Sequence, residues 1–264
     1  MYAEVSRTER LSPEIVRIPL PGGDLSDFDE PKSTDAYINA RFLPVNSPIA
    51  VPFDATDLEK VSGDERPRPR RFTVRRWDRI EQRLVIDFVT HGPDGYAGSW
   101  AERARPGDRL QFEGPGGSYR PSPDVDWHLL VGAESAFGAI GATLESLSRD
   151  ERASVFVVVE RPGSEIDFPS VGDVDVSWVY REGAAEPAAL LADAVADATL
   201  PAGTFDVFVH GEASEVRAVR KHLASDRGVD VGSASISPYW RRQHTDEAWR
   251  AVKREWIAEL ANDV

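Results

Sequence analysis

From Met1 to about Arg120 apolar and polar residues alternate in short runs, and beyond that point longer apolar runs are interleaved with helical periods. The alternation predicts strands at Ala3–Thr8, Glu14–Pro19, Ala36–Phe42, Arg70–Trp77, Arg83–Thr90 and Arg109–Glu113. Turn residues separate them, as at Pro21-Gly22-Gly23-Asp24 and Gly107-Asp108, and the polar, proline-bearing stretch Asp54–Pro69 reads as an exposed loop. Six such strands imply a small closed antiparallel β-barrel. After Arg120-Pro121-Ser122-Pro123 strands at Trp127–Gly132, Ala153–Glu160, Val174–Tyr180, Phe205–Gly211 and Ala234–Pro238 are joined by helices at Glu134–Leu147, Pro187–Ala196 and Ser214–Leu223. That order implies a mostly parallel α/β sheet, with ligands at the carboxyl ends of its strands. From His244 onward Ala248, Val252, Trp256 and Leu260 recur at a helical period beside Trp249 and Ile257, a helix that packs on the body. The expected architecture is β followed by α/β: a barrel over residues 1–122, an α/β domain over 123–238 and a helical tail over 239–264.

Composition narrows the chemistry. At 264 residues with 41% hydrophobic and 29% charged positions the chain is globular and long enough for two domains. The absence of cysteine excludes disulfides, thiol catalysis and cysteine-ligated clusters, leaving any electron transfer to a bound organic cofactor. The start Met1-Tyr2-Ala3-Glu4-Val5-Ser6-Arg7 has no basic and then apolar pattern, and no run approaches the roughly 18 apolar residues of a membrane span, so a soluble, cytoplasmic protein is expected. A formal net charge of -14 argues against nucleic-acid binding, which needs a basic face.

Against that acidic background six arginines fall between Arg66 and Arg76. A solvated strand edge explains Arg76 and Arg79 well enough. Arg70-Arg71-Phe72-Thr73, however, puts a guanidinium, an aromatic face and a hydroxyl within four residues, and the loop that runs through Gly95 and Gly98 to Trp100 opens a short helix from Trp100 to Ala104 whose first amides suit a pyrophosphate. Strand alternation sets Arg70 and Phe72 on one side and Arg71, Thr73 and Arg75 on the other, so the strand ends or bulges here, or Thr73 acts through its backbone.

In Arg70-x-Phe72-Thr73-x-Arg75, Asp87-Phe88-Val89-x-His91-Gly92, Gly95-Tyr96-Ala97-x-x-Trp100-Ala101, Pro106-Gly107-Asp108 and Gly114-Pro115 the sequence resembles the siderophore-interacting protein family, FAD-dependent ferric-siderophore reductases related to the ferredoxin reductases. Asp126-Trp127, Gly132-x-Glu134-Ser135-Ala136, Trp178, Gly211-Glu212 and Tyr239-Trp240-Arg241 extend the likeness over nearly the whole chain. Phe72 stands where the family has tyrosine, and Ala133–Ala139 lacks the family's acid and proline near the expected nicotinamide side.

The resemblance implies an FAD site of Arg70, Phe72, Thr73, Val74, Asp87, Phe88, Val89, His91, Ala97, Gly98, Ser99 and Trp100, with Glu134, Ser135, Ala136, Tyr239 and Trp240 from the second half. Arg66, Arg68, Arg241 and Arg242 are candidates to steer an anionic ferric siderophore. NAD(P)H is the expected electron donor and ferredoxin the alternative; a general flavin-linked electron transferase and a siderophore binder without turnover are the competing functions. Arg161 and Arg181, at strand ends, are candidates for a ribose phosphate, or else simple solvated charges. No Gly-x-Gly-x-x-Gly fingerprint, nucleophile elbow or phosphate loop occurs, and the five histidines form no metal-ligand spacing.

Overall fold

A computed structural model describes residues 1–90, 95–260 and 263. The chain falls into two units, Met1–Arg120 and Pro121–Val264. In the first, the strands are β1 (Tyr2–Glu4), β2 (Glu9–Ser12), β3 (Ile15–Pro21), β4 (Tyr37–Phe42), β5 (Arg68–Thr73), β6 (Arg76–Asp78), β7 (Arg83–Val89) and β8 (Arg109–Gly116), with short helices α1 (Ala55–Glu59) and α2 (Ala97–Arg103). They form two four-stranded sheets, ordered β1-β8-β4-β5 and β2-β3-β7-β6, in which every pairing is antiparallel.

The expected six-stranded barrel is therefore corrected: the described residues hold eight strands in two sheets. Of Ala3–Thr8 only the first two residues are strand, in β1 paired with β8; residues 5–8 leave the sheet, and the strand that pairs with β3 is the unexpected β2. Arg70–Trp77 divides because it changes sheets. Val74 N–H still donates to the Ala36 carbonyl at 2.7 Å, and the next amide, Arg75, donates to Val85 at 2.9 Å. One residue carries the chain from β4 to β7.

Alternation places the core. Along β7 and β4 every second residue is buried, so that Leu84, Ile86, Phe88, Ile38, Ala40 and Phe42 meet inside the unit. Asp54 caps α1, which sits in the stretch expected to be a loop.

The second unit is a parallel sheet of β9 (Trp127–Ala133), β10 (Arg152–Val159), β11 (Asp173–Tyr180), β12 (Phe205–Glu212) and β13 (Ser235–Trp240), ordered β11-β10-β9-β12-β13. Its helices are α3 (Phe137–Ser146), α4 (Leu190–Asp197), α5 (Ala213–Ser225) and α6 (Asp246–Leu260). β9 is buried throughout and β10 nearly so, the continuous apolar strand that a covered parallel sheet requires. Position 132 is glycine because a Cβ there would come within 2.8 Å of the Ala136 side chain and 2.9 Å of the His210 carbonyl. Glu134–Ala136, expected as the first turn of α3, is a 3-10 turn that leads into it. Trp249, Trp256 and Leu260 of α6 pack with Ala213, and Arg217 grips Asp263 through two contacts of 2.6 Å, so the tail helix is docked on α5. Among the described residues no helix is long and apolar enough to cross a membrane.

Candidate functional site

In the first unit the arginine strand β5 lies at the end of its sheet. The Val74-to-Ala36 bond fixes its phase: Phe72 and Arg70, an even number of residues away, turn their amides toward β4, whereas Thr73 and Arg71 turn theirs to the open edge. Arg68, Arg70 and Phe72 share the side of buried Phe42, Ala40 and Ile38, and exposed Arg71 lies across β5 with its guanidinium 5.1 Å from the Tyr37 ring. Thr73 and Arg71 therefore offer their backbone amides at the open edge, while the Arg70 and Phe72 side chains lie together on one face of the strand.

Around Phe72 the wall is aromatic. Its ring centroid is 4.6 Å from Phe88 and 5.8 Å from Phe42, and Trp100 of α2 lies 5.6 Å from both Phe42 and Phe88. Phe88 is wholly buried, so its side chain is core, whereas Phe72 and Trp100 are half-buried. Arg68 and Arg70 both sit over the Tyr96 ring, at 5.5 and 5.8 Å. Buried Arg68 Nε has no protein partner, an orphan donor at the spot where an anion would satisfy it. Ala97, Gly98 and Ser99 form the first turn of α2, where backbone amides lack intrahelical partners.

Asp87 is already engaged. Arg17 grips its carboxylate with bonds of 2.7 and 2.8 Å, Arg75 Nε lies 3.9 Å away, and its side chain is only 4% exposed. It pins β3 to β7 below the sheet-crossing residue. Val74 is buried at that crossing, Val89 ends β7 half-buried, and His91 lies outside the described residues. Arg66 is exposed, with Nε donating to the Val61 carbonyl at 3.2 Å.

In the second unit the carboxyl ends of the strands carry a buried charge network. Arg181, directly after β11, is held by Glu134 at 2.7 and 2.9 Å and by Glu215 at 2.8 and 3.1 Å. Arg242 also bonds Glu215, and its backbone N–H donates to Glu212 at 3.1 Å. Glu212 in turn caps α5 through the amides of Ser214 and Glu215. Burial works against the Arg181 guanidinium, but Glu215 and Glu134 more than offset it and hold it above its ordinary value; burial pushes the Glu215 carboxyl up against the pull of Arg181.

The expectation that Arg181 takes a ribose phosphate is corrected on this geometry, because both edges of its guanidinium are already filled by carboxylates. Arg242 is likewise tied at guanidinium and backbone, while Arg241 is half-buried beside it. Ser135 follows Glu134 with its hydroxyl oxygen buried and unpartnered, and Ala136 is fully buried. Among the described residues no group of histidines and carboxylates could hold a metal ion.

Tyr239 and Trp240 close β13. The Tyr239 hydroxyl is turned inward to His210 Nδ1 at 2.8 Å, and His210 Nε2 meets the Ser235 hydroxyl at 2.9 Å. Burial pushes this imidazole down to about 3. Unfolded histidine titrates near about 6.5, so below that pH the unfolded chain takes up a proton that the folded one refuses. Stability is present above about pH 6.5 and is lost as pH falls toward 3, by up to about 1.4 kcal/mol per unit. His210→Gln should therefore be less stable than the parent at pH 7, with the gap narrowing as pH is lowered from 6.5 to 4. Urea unfolding at several pH values checks this; parallel stability curves would refute it.

Sequence reasoning named Glu212 only as a landmark, missed Glu215, whose local signal is an acid three residues after another at a helix start, and missed Tyr96 as the platform beneath Arg68 and Arg70.

An antiparallel unit followed by a parallel five-stranded unit is the fold of the ferredoxin reductases. A ferredoxin reductase of carbazole 1,9a-dioxygenase matches it with a TM-score of 0.67 at 15% identity, over 90% of this chain and 68% of that one. Residues 4–119 match the siderophore-interacting FAD-binding domain and residues 125–243 the siderophore-interacting protein domain. The ferric vibriobactin reductase ViuB of Vibrio cholerae is 31% identical over 92% of this chain and 90% of its own length. An NADPH-dependent ferric-chelate reductase of Escherichia coli is 29% identical over 89% and 91%. The siderophore-interacting protein SipS of Aeromonas hydrophila has a TM-score of 0.81 at 26% identity, covering 98% of each chain. The chain belongs to the siderophore-interacting protein family and is an FAD-binding oxidoreductase.

Proposed function

We propose that the protein is an FAD-dependent ferric-siderophore reductase fed by NAD(P)H, with FAD held by the first unit and the nicotinamide dinucleotide taken at the carboxyl edge of the second. The observation that carries this reading is the free edge of β5, where the outward amides of Thr73 and Arg71, the Arg70 side chain and the orphan Arg68 Nε surround half-buried Phe72. A flat, polar-rimmed ring with a diphosphate tail fits that donor set, and the names of the two reductase relatives agree with it.

When bound, FAD accepts electrons as a hydride pair and passes them on singly, which no side chain does. Arg70 and Arg68 neutralise phosphate charge, with Tyr96 holding both guanidinium groups in place. Edge amides of Thr73 and Arg71 would bond polar atoms of the flavin, and Phe72 and Trp100 would exclude water from it. Ala97, Gly98 and Ser99 offer helix-start amides to the diphosphate. Asp87 acts indirectly, by tying β7 to β3 through Arg17, and Val74, Phe88 and Val89 support the strand wall behind the site. In the second unit Glu134, Ser135, Ala136, Tyr239 and Trp240 border the nucleotide edge. Arg66 and Arg241 attract the anionic ferric siderophore, while Arg242 positions the segment after β13. The ferrous product binds hard oxygen ligands less tightly than ferric iron, so the metal leaves without needing a protein ligand.

The test is anaerobic: flavin-loaded protein is bleached with NADH or NADPH, then mixed with ferric catecholate and carboxylate chelates in the presence of a ferrous-specific chromophore. Two ferrous ions should appear per flavin reoxidised. Flavin that stays reduced while every chelate remains ferric would end the proposal.

A further inference from the structure

We infer that the carboxyl edge of the parallel sheet selects NADH over NADPH, with Glu160 as the discriminating residue and Arg181 withheld from the ligand. This rests on the proposed docking of a nicotinamide dinucleotide at that edge. The two cofactors differ only at the adenosine ribose, where one has a 2′-hydroxyl and the other a 2′-phosphate. A carboxylate accepts from the hydroxyl and repels the phosphate, whereas a guanidinium does the reverse.

The strand ends supply the first kind of group. Glu160 directly follows β10 and is exposed, and Glu182, also exposed, follows β11. The Glu182 amide donates to the Glu160 carbonyl at 2.8 Å, continuing the ladder so that the two acids lie on neighbouring chain ends. Of the two arginines at these ends, Arg181 is 8% exposed and closed on both sides by Glu134 and Glu215, which leaves it no edge for a phosphate. Arg161 is exposed and directly follows Glu160 in the chain, next to the strand end that carries Glu182.

The buried network behind this lip holds three carboxylates, Glu134, Glu212 and Glu215, against Arg181 and Arg242, so the field it adds is negative. Two hydroxyls complete the set: Ser135 and Ser164, on the segments after β9 and β10, have buried oxygens without partners, and Ser164 is only 1% exposed. Hydroxyls and carboxylates suit a sugar diol, whereas a dianionic phosphate would meet the negative field of this lip.

Stopped-flow reduction of the FAD-loaded protein by each nucleotide tests the inference. NADH should show an apparent second-order rate at least about tenfold above that of NADPH. Glu160→Gln, at an exposed position, should keep the flavin spectrum and cut that ratio at least about threefold, chiefly by faster reduction with NADPH. Equal or faster reduction of the parent protein by NADPH, or a ratio unmoved in Glu160→Gln, would overturn it. If neither nucleotide bleaches the flavin but dithionite-reduced protein still reduces ferric chelates, the nucleotide site falls while the reductase reading stands.

Discussion

Arg70→Ala protein should purify almost free of FAD, with an affinity at least about a hundredfold weaker than the parent's. Charge-assisted hydrogen bonds are worth about 1.5–3 kcal/mol each, and a guanidinium on phosphate makes two, so losing both removes some 3 kcal/mol or more. Arg68 is left beside the same ring but cannot replace the pair, because it already bonds Asp64 at 2.8 Å through one of its terminal nitrogens. Folding should be little affected, since Arg70 is half-buried on the last strand of its sheet. Arg70→Lys should retain intermediate affinity, keeping the charge and losing the fork. Flavin fluorescence titration of refolded apoprotein is the measurement, and full FAD occupancy in Arg70→Ala would show that this side chain does not hold the cofactor.

Arg181→Ala should be the most destabilising single change at the charge network, costing about 3–5 kcal/mol. Its removal leaves Glu134, 5% exposed, without its cation, and Glu215, 1% exposed, with Arg242 as its remaining one. The second unit should melt roughly 10 °C lower. Replacing Arg181 by Met together with Glu134→Gln and Glu215→Gln should recover much of the loss, because paired buried charges return little net stability over neutral groups of similar size. Calorimetry on the three proteins decides it; an Arg181→Ala melting curve superimposable on the parent's would mean that the carboxylates are satisfied without it.

The elements were legible where periodicity is strong. Strands buried on both faces, such as Val155–Val159, and strands buried on one, such as Arg83–Val89, betray themselves by composition and alternation alone. What could not be read was where a continuous β-run changes partners. Nothing in Thr73-Val74-Arg75 distinguishes a straight strand from one that leaves its sheet, because the decision lies in amides bonded to Ala36 and Val85, distant in sequence. The same holds for charge. Arg70 and Arg181 look alike in the sequence, yet one sits on a sheet edge against Tyr96 and the other is closed between acids 47 residues before it and 34 after it. Burial and pairing are properties of the third dimension, and an isolated arginine carries no trace of them.

The one-residue transfer at Val74 constrains how this protein can be altered. Deleting or adding a residue between Thr73 and Arg75 would rotate the preceding strand by half a pleat and aim Arg71 where Arg70 now points. The stretch from Leu43 to Val51, which lies outside the described strands and helices and ends before Phe53, itself held at N–H and carbonyl by Gln111, tolerates changes of length at small entropic cost. Attempts to retune substrate choice by insertion should therefore be made in that stretch, and the arginine strand varied only by substitution.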